Sequence, residues 1–276
     1  MQNRAEKQFQ GFLKTPPLWR NSFQQIDQFK LPEIDQPLKQ PITKDLPSLS
    51  SNFVMGKRVE RFFKWIINQN PNYNLLAENM QISRNKITLG ELDFLVEDLI
   101  NRQVSHIEMV YKFYVYDPSF STEMQRWIGP NRRDTLLQKT GKLIEKQFPL
   151  LYKPETEEVL NSLGVKPKEI LQQTCFKANL FVPKHLEEKQ FPVINNECIA
   201  GIWLHFKDFL SAEYHTLQFY APKKQDWLIL PQHGENWVNH SEIIAQIENS
   251  FQRKKAPLIW VKKPGNKFER LFVVWW

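Results

Sequence analysis

The sequence predicts an α/β fold in which one helix, three strands and a second helix follow each other along the chain. The first helix is predicted over 53–68, where apolar residues recur at helical spacing and form one continuous face. Three runs rich in β-branched and aromatic residues then predict strands from Leu75 to Arg84, from Lys86 to Val96 and from Val104 to Tyr116. Apolar spacing predicts the second helix over 133–148. This order indicates a mixed central sheet flanked by helices.

Each helix and strand has its own local signal. The apolar face of the first helix consists of Val59, Phe62, Phe63, Ile66 and Ile67, and the Asn-Pro pair at 70–71 ends the helix. A further helical stretch is expected near 154–172, followed by a strand at 175–183. The Pro-Gly-Asn-Lys segment between two apolar runs near the C-terminus predicts a hairpin.

The chain is predicted to divide into three parts. Residues 1–52 are rich in Gln, Pro, Ser and Asp but keep several apolar side chains, so we expect one or two short helices and an extended arm packed on the body. Residues 53–183 form the core of the fold. Residues 184–276 shift towards Trp, Phe and Tyr and form an aromatic-rich α+β extension.

Composition limits the class of protein. The 276 residues are 41% hydrophobic, which is ample for a packed core, and the net charge of +7 permits a polyanionic partner without requiring one. Cys175 and Cys198 lack the CxxC spacing of a zinc site and are expected to be small core residues. The N-terminus shows no signal pattern, and no apolar run approaches the roughly 18 residues that span a bilayer. We therefore expect a cytoplasmic protein that does not associate with membranes.

The third strand carries the residues that suggest chemistry. Side chains alternate along a strand, so His106, Glu108, Val110 and Lys112 are expected on one face, opposite an apolar face. Charged groups among apolar residues are tolerated when they are paired or bound to metal. Asp93, near the end of the second strand in Gly-x-x-Asp, is a partner that can converge on the same cation. Carboxylate oxygens suit Mg²⁺ or Mn²⁺, which would activate a water molecule, and Lys112 would hold that water or a phosphate.

This order of elements, with Asp on the second strand and an acid and Lys on the third, resembles the PD-(D/E)XK nuclease superfamily. Six segments are similar to an uncharacterised bacterial domain-of-unknown-function family in that superfamily, numbered eighteen fifty-three: MGKRVERFF, TLGELDFLVED, HIEMVYKFYVYD, GPNRRDTLLQKTGKLIEKQ, GIW and ERLFVVWW. The resemblance runs from about residue 53 to the C-terminus. It implies a restriction-endonuclease-like core of helix, three strands, helix and strand.

The resemblance also implies roles for particular residues. Asp93 corresponds to the metal-binding Asp, Lys112 to the Lys, and Glu60 to a Glu that completes the metal shell. Val110 occupies the position where the acid is expected, and the nearest acid on that face, Glu108, lies roughly 7 Å further along the strand. Glu108 compensates by its reach, Glu60 or Glu91 substitutes, or the site is a relic of a nuclease; the sequence leaves these alternatives open.

Basic residues around the second predicted helix suggest a surface for DNA or RNA. Arg132, Arg133, Lys139 and Lys142 lie near its polar side and would contact phosphates. On the resemblance alone, Gln147 at the end of this helix faces a substrate. The structural alternatives are a solvated basic face, a core histidine at His106, and cross-strand ion pairs for Glu108 and Lys112.

Two functions from different classes follow from these features. The first is a metal-dependent nuclease in which Asp93, Glu108 and Glu60 bind Mg²⁺ or Mn²⁺ and Lys112 positions the attacking water. The second is a catalytically inactive protein of the same fold that binds nucleic acid or a protein partner. A purely structural interaction protein is a third alternative. The sequence lacks the P-loop, GxSxG and HExxH motifs of other hydrolases.

Overall fold

The computed structural model describes residues 3–32 and 53–276. Much of the predicted N-terminal arm, residues 33–52, therefore lies outside the described residues. The helices are α1 (Arg4–Lys14), α2 (Met55–Gln69), α3 (Glu123–Arg126), α4 (Leu136–Lys142), α5 (Pro154–Ser162), α6 (Phe206–Phe209) and α7 (His240–Gln252). The strands are β1 (Ser22–Phe23), β2 (Ile26–Gln28), β3 (Tyr73–Arg84), β4 (Ile87–Asp98), β5 (Gln103–Tyr116), β6 (Trp127–Ile128), β7 (Ile170–Pro183), β8 (Ile199–His205), β9 (Gln218–Tyr220), β10 (Leu258–Lys263) and β11 (Lys267–Val274).

The chain forms two compact units, and each is composed of segments that are distant in the sequence. Unit I contains the described residues of 17–111 and 138–177. Unit II contains those of 1–16, 112–137 and 178–276. Each unit is mixed α/β. The first part of both β5 and β7 belongs to unit I and the second part to unit II, so the chain passes from one unit to the other inside two strands.

Unit I is organised around the three strands that the sequence predicts. β3 and β4 form an antiparallel hairpin closed by Asn85 and Lys86, both at positive φ, as a two-residue hairpin turn requires. β4 pairs antiparallel with β5, and β2 pairs parallel with β7, which makes the sheet mixed. The apolar face of α2 is buried as predicted, and an apolar cluster on β3 and β4 packs against Leu150, Leu151 and Leu160.

Unit II contains the aromatic-rich part of the chain. β7, β8 and β11 are parallel neighbours, and β11, β10 and β9 continue antiparallel, so this sheet is also mixed. The predicted C-terminal hairpin is confirmed: Pro264–Asn266 connect β10 to β11, with Gly265 at φ +74°. α7 packs on this sheet through Ile243 and Ile247, which are fully buried. Both cysteines are buried thiols, Cys175 in unit I and Cys198 in unit II.

The structure corrects the extents of two predicted helices. The single helix predicted over 133–148 begins at Leu136, changes to a π-helical turn over Leu143–Gln147 and ends in a 3₁₀ turn over Phe148–Tyr152, which contains Pro149. The helical stretch predicted near 154–172 ends at Ser162, just before Gly164 at φ +71°. The strand predicted at 175–183 is confirmed and already begins at Ile170.

Truncation of Phe63 tests the core of unit I. Its fully buried ring contacts Phe94 and Phe29 at centroid distances of 4.6 and 5.7 Å. We expect Phe63→Ala to lower the free energy of unfolding by about 3–5 kcal/mol, because it leaves a cavity among aromatic side chains. Ile100→Ala, at a side chain that is 69% exposed, is the matched control and should change it by less than about 0.5 kcal/mol. Urea denaturation followed by circular dichroism measures both, and equal effects would contradict this account of the core.

Candidate functional site

Asp93 and Glu108 lie next to each other in unit I because β4 and β5 are antiparallel neighbours. The regular ladder between the two strands ends at the pair Phe94 and Ile107, and one step further Asp93 faces Glu108. Beyond that point a hydrogen bond to a side chain takes the place of backbone pairing: Asp93 Oδ2 accepts from the backbone N–H of Met109 at 2.9 Å. The two acids that the sequence singles out on neighbouring strands are therefore brought together.

The other strand beside Asp93 is irregular at the same level. Glu78 and Met80 of β3 pair with Phe94 and Leu92, which places Asn79 opposite Asp93. Asn79 has φ +48°, a conformation that asparagine tolerates better than most residues. Regular pairing with β5 thus stops beside Asp93, and on the β3 side the backbone of Asn79 departs from strand geometry.

Glu108 is fully buried, and its two oxygens have different partners. His106 Nε2 lies 3.1 Å from Oε1, and the side-chain amide of Gln147 donates to Oε2. Gln172 settles the histidine tautomer, because its amide nitrogen lies 3.3 Å from His106 Nδ1 and donates to the Phe148 carbonyl. Nδ1 is then the acceptor, and Nε2 carries the proton that His106 donates to Glu108. His106 is the hydrogen-bonded core histidine of the structural alternative.

The π-helical turn after α4 positions the Gln147 amide. Lys139 Nζ donates to Gln147 Oε1 at 2.8 Å, which turns the NH₂ group of this amide towards Glu108. Lys139 and Gln147 are eight residues apart, and the wider turn over Leu143–Gln147 lies between them. The sequence predicts Lys139 on a basic helix face, whereas the structure places its ammonium group within the network of Glu108.

The carboxyl of Asp93 holds a proton at neutral pH. Burial raises the pKa of Asp93 to about 8, and the nearby charge of Glu108 raises it further than the hydrogen bond from Met109 lowers it. Glu60 adds to the rise, and Lys139 opposes it. Two carboxylates close together in a poorly solvated place cannot both carry their charge without a cation. More positive charge would therefore be needed for Asp93 and Glu108 both to be ionised.

Glu60 lies near this pair but has a partner of its own. Its Oε2 atom accepts from Lys57 Nζ at 2.7 Å, and Lys57 also lies 3.5 Å from Glu91 Oε1. Burial raises the pKa of Glu60 despite the ion pair with Lys57. Among residues 3–32 and 53–276, no group of three or more His, Cys, Asp or Glu side chains is arranged to hold a metal ion. The donor set at Asp93 is thus a pair of carboxylates.

Lys112 belongs to unit II, where its Nζ atom donates to Asp134 Oδ2 at 2.6 Å. A Cβ atom at position 129 would lie 2.2 Å from Asp134 Oδ1, so any side chain there would displace the Asp134 carboxylate. Val110, at the position where the sequence pattern expects an acid, is buried. The partner of the Lys112 ammonium group is thus the carboxylate of Asp134.

The predicted nucleic-acid residues are distributed over both units. Arg132 and Arg133 precede α4 in unit II, whereas Lys139 and Lys142 lie on α4 in unit I. Arg132 donates to Asp117 Oδ2 at 2.9 Å, and its guanidinium lies 4.5 Å from the ring centroid of Trp276. Arg133 and Lys142 are exposed. The four side chains therefore do not form one face of a single helix.

The raised pKa of Asp93 predicts how stability depends on pH in metal-free buffer. Between about pH 4 and pH 8 the folded protein keeps a proton that the unfolded chain releases, so the free energy of unfolding falls as the pH rises, by at most about 1.4 kcal/mol per pH unit. Asp93→Asn removes this contribution. We expect the variant to gain stability relative to the unchanged protein from pH 5 to pH 8, measured by urea denaturation in EDTA. A difference that stays constant over this range would contradict the assignment.

One family model matches the chain over residues 7–274, and its family is described as Domain of unknown function (DUF1853). The comparison with curated proteins and the comparison with solved structures each find no match. No helix among the described residues is long and apolar enough to cross a membrane. The expected membership of an uncharacterised family is confirmed, since the match covers nearly all of the sequence. The chain belongs to this family of domains of unknown function.

Proposed function

We propose that the protein is a metal-dependent nuclease of the PD-(D/E)XK type, in which Asp93 and Glu108 bind Mg²⁺ or Mn²⁺ and phosphodiester bonds of DNA or RNA are hydrolysed. The observation that carries this proposal is the meeting of the fully buried Glu108 carboxylate with the half-buried Asp93 carboxylate of the neighbouring strand, at a place where regular pairing stops. This arrangement supports the restriction-endonuclease-like order of elements that the sequence resemblance implies.

The donor set fits a hard divalent cation. Mg²⁺ is commonly bound through one or two carboxylates, with water and substrate phosphate oxygens as its other ligands. Asp93 and Glu108 supply two carboxylates, and the part of Asp93 that stays exposed gives solvent access to the pair. When bound, the cation would stabilise negative charge on the phosphate and lower the pKa of a water molecule.

The chain's own residues position the carboxylates and the water. Met109 N–H fixes one oxygen of Asp93, and His106 and Gln147 fix the two oxygens of Glu108, as outer partners of metal ligands do. Glu60, on helix α2, would complete the metal shell, as the resemblance implies. Lys112 is proposed to hold the attacking water or a phosphate oxygen; this role is supported by the sequence pattern.

The Lys112–Asp134 ion pair favours a second candidate function. An ammonium group that is already neutralised at 2.6 Å is less available to a water or a phosphate. The second candidate is therefore a catalytically inactive protein of the same fold that binds nucleic acid. It predicts binding that depends on salt concentration but no cleavage under any metal condition.

Substitution of either acid tests the nuclease proposal. We expect Asp93→Asn and Glu108→Gln each to lower Mn²⁺-dependent cleavage of labelled DNA or RNA by about 100-fold or more, since each removes one carboxylate ligand. Isothermal titration calorimetry with Mn²⁺ should show weaker binding for both variants. Glu97→Gln, at another acid of β4, is the matched control and should leave cleavage and Mn²⁺ binding unchanged.

Two outcomes would contradict the proposal. Equal cleavage by the unchanged protein and by Asp93→Asn would show that a contaminating nuclease is responsible. Absence of both cleavage and Mn²⁺ binding in the unchanged protein would overturn the metal site. In that case, salt-dependent binding of oligonucleotides would support the second candidate, and no binding at all would leave a structural interaction protein.

A further inference from the structure

Four basic side chains of unit II come from segments that are far apart in the sequence. Lys112 lies on β5, Arg133 in the turn before α4, Lys224 in the 3₁₀ turn of Lys224–Asp226, and Lys255 after α7. We call these four residues the basic cluster. The charges of Lys112, Arg133 and Lys255 all act on Lys224, so these three groups lie within electrostatic range of Lys224.

Hydrogen bonds within unit II hold the segments that carry the cluster. Asn131 Oδ1, in the turn with Arg133, accepts from the backbone N–H of Ala256, the residue after Lys255, at 2.8 Å. The indole of Trp276 donates to the Pro130 carbonyl at 3.1 Å, and the Asp134 carbonyl accepts from Gly129 N–H at 2.7 Å. These hydrogen bonds hold in place the backbone segments that carry Arg133 and Lys255.

Positive charge is concentrated around the ammonium group of Lys224. Partial desolvation of its ammonium group lowers the pKa of Lys224, and the charges of Lys112, Arg133 and Lys255 act in the same direction, against the opposing charge of Asp134. Its Nζ atom lies 5.7 Å from the ring centroid of Trp227, which is buried beneath it. Asp134, whose charge opposes those of the three basic groups, already pairs with Lys112. Such a concentration is costly unless an anion compensates for it.

We propose that the basic cluster binds the phosphodiester backbone of a nucleic acid strand, through Arg133, Lys224 and Lys255 beside Lys112. The inference rests on the proposed function, because it names the surface that would hold the substrate. Arg133, Lys224 and Lys255 are exposed, and they belong to three separate turns, which suits contacts with successive phosphates. The guanidinium of Arg133 adds the bidentate geometry that phosphate oxygens favour.

This proposal assigns a role to the aromatic-rich part of the chain. Lys224 and Lys255 come from the C-terminal residues, for which the sequence suggested no function. Arg132 is left out because Asp117 and the Trp276 ring already occupy its guanidinium. Of the residues that the sequence proposed for nucleic-acid binding, Arg133 thus belongs to the cluster.

Binding of a labelled single-stranded oligonucleotide in EDTA tests the cluster without any cleavage. We expect Lys224→Gln combined with Lys255→Gln to weaken binding on the order of tenfold at 0.1 M salt, and to reduce the slope of log affinity against log salt by about 1.4, if each lysine contacts one phosphate. Lys224→Arg combined with Lys255→Arg should keep most of the affinity. Fluorescence anisotropy measures binding, and thermal melting by circular dichroism verifies that each variant is folded.

The control removes the same charge elsewhere in unit II. Lys207→Gln combined with Lys267→Gln, at two exposed lysines, should leave the affinity and the salt slope unchanged. Equal weakening of binding in this control would show that only the net charge matters, which would overturn the cluster. Undiminished binding by the Lys224 and Lys255 variant would also overturn it. Mn²⁺-dependent cleavage by the unchanged protein is scored separately. Loss of binding in the Lys224 and Lys255 variant, together with no cleavage by the unchanged protein, would support the cluster and reject the nuclease. Cleavage by the unchanged protein, together with undiminished binding by the variant, would support the nuclease and reject the cluster.

Discussion

Placing the carboxyl groups of Asp93 and Glu108 together in a poorly solvated part of unit I costs free energy, and the surrounding structure depends on how that cost is met. Their mutual repulsion is tolerated because Asp93 keeps a proton and because Met109, His106 and Gln147 donate hydrogen bonds to one oxygen of Asp93 and to both oxygens of Glu108. A hydrophobic pair at these positions would pack without that cost. The polar network of Met109, His106 and Gln147 instead holds the two carboxyl groups in fixed positions.

The irregular features of unit I gather around this pair. Asn79 takes a positive φ opposite Asp93, the ladder between β4 and β5 ends beside it, and the helix after Leu136 widens into a π-helical turn that brings Gln147 to Glu108. Departures from regular geometry commonly accumulate at functional sites, where side-chain placement has priority over backbone regularity. The same residues would be difficult to place with an unbroken helix and an unbroken ladder.

Local sequence signals are sufficient to predict the three strands and the proximity of Asp93 and Glu108. Hydrophobic spacing predicted α2, and dense β-branched and aromatic runs predicted β3 to β5, so antiparallel pairing already placed Asp93 near Glu108. The partners of these acids were not predictable in this way. The role of Lys139 depends on a π-helical turn that has no periodic signal, and Asp134 meets Lys112 through a turn in which Gly129 leaves room for the Asp134 carboxylate. Lys224 and Lys255 join Arg133 only through tertiary contacts, which local patterns do not record.

The assignment of β5 and β7 to both units has a consequence for how the chain reaches its native state. No contiguous fragment contains all of unit II, since its segments are separated by stretches that belong to unit I. β11 lies between β8 and β10, so the sheet of unit II remains open in the middle until the chain beyond residue 267 has been made. Every residue of unit I precedes that point. On the ribosome, unit I can close its core while unit II still exposes unpaired strands, and the nascent chain is most prone to aggregate during that interval.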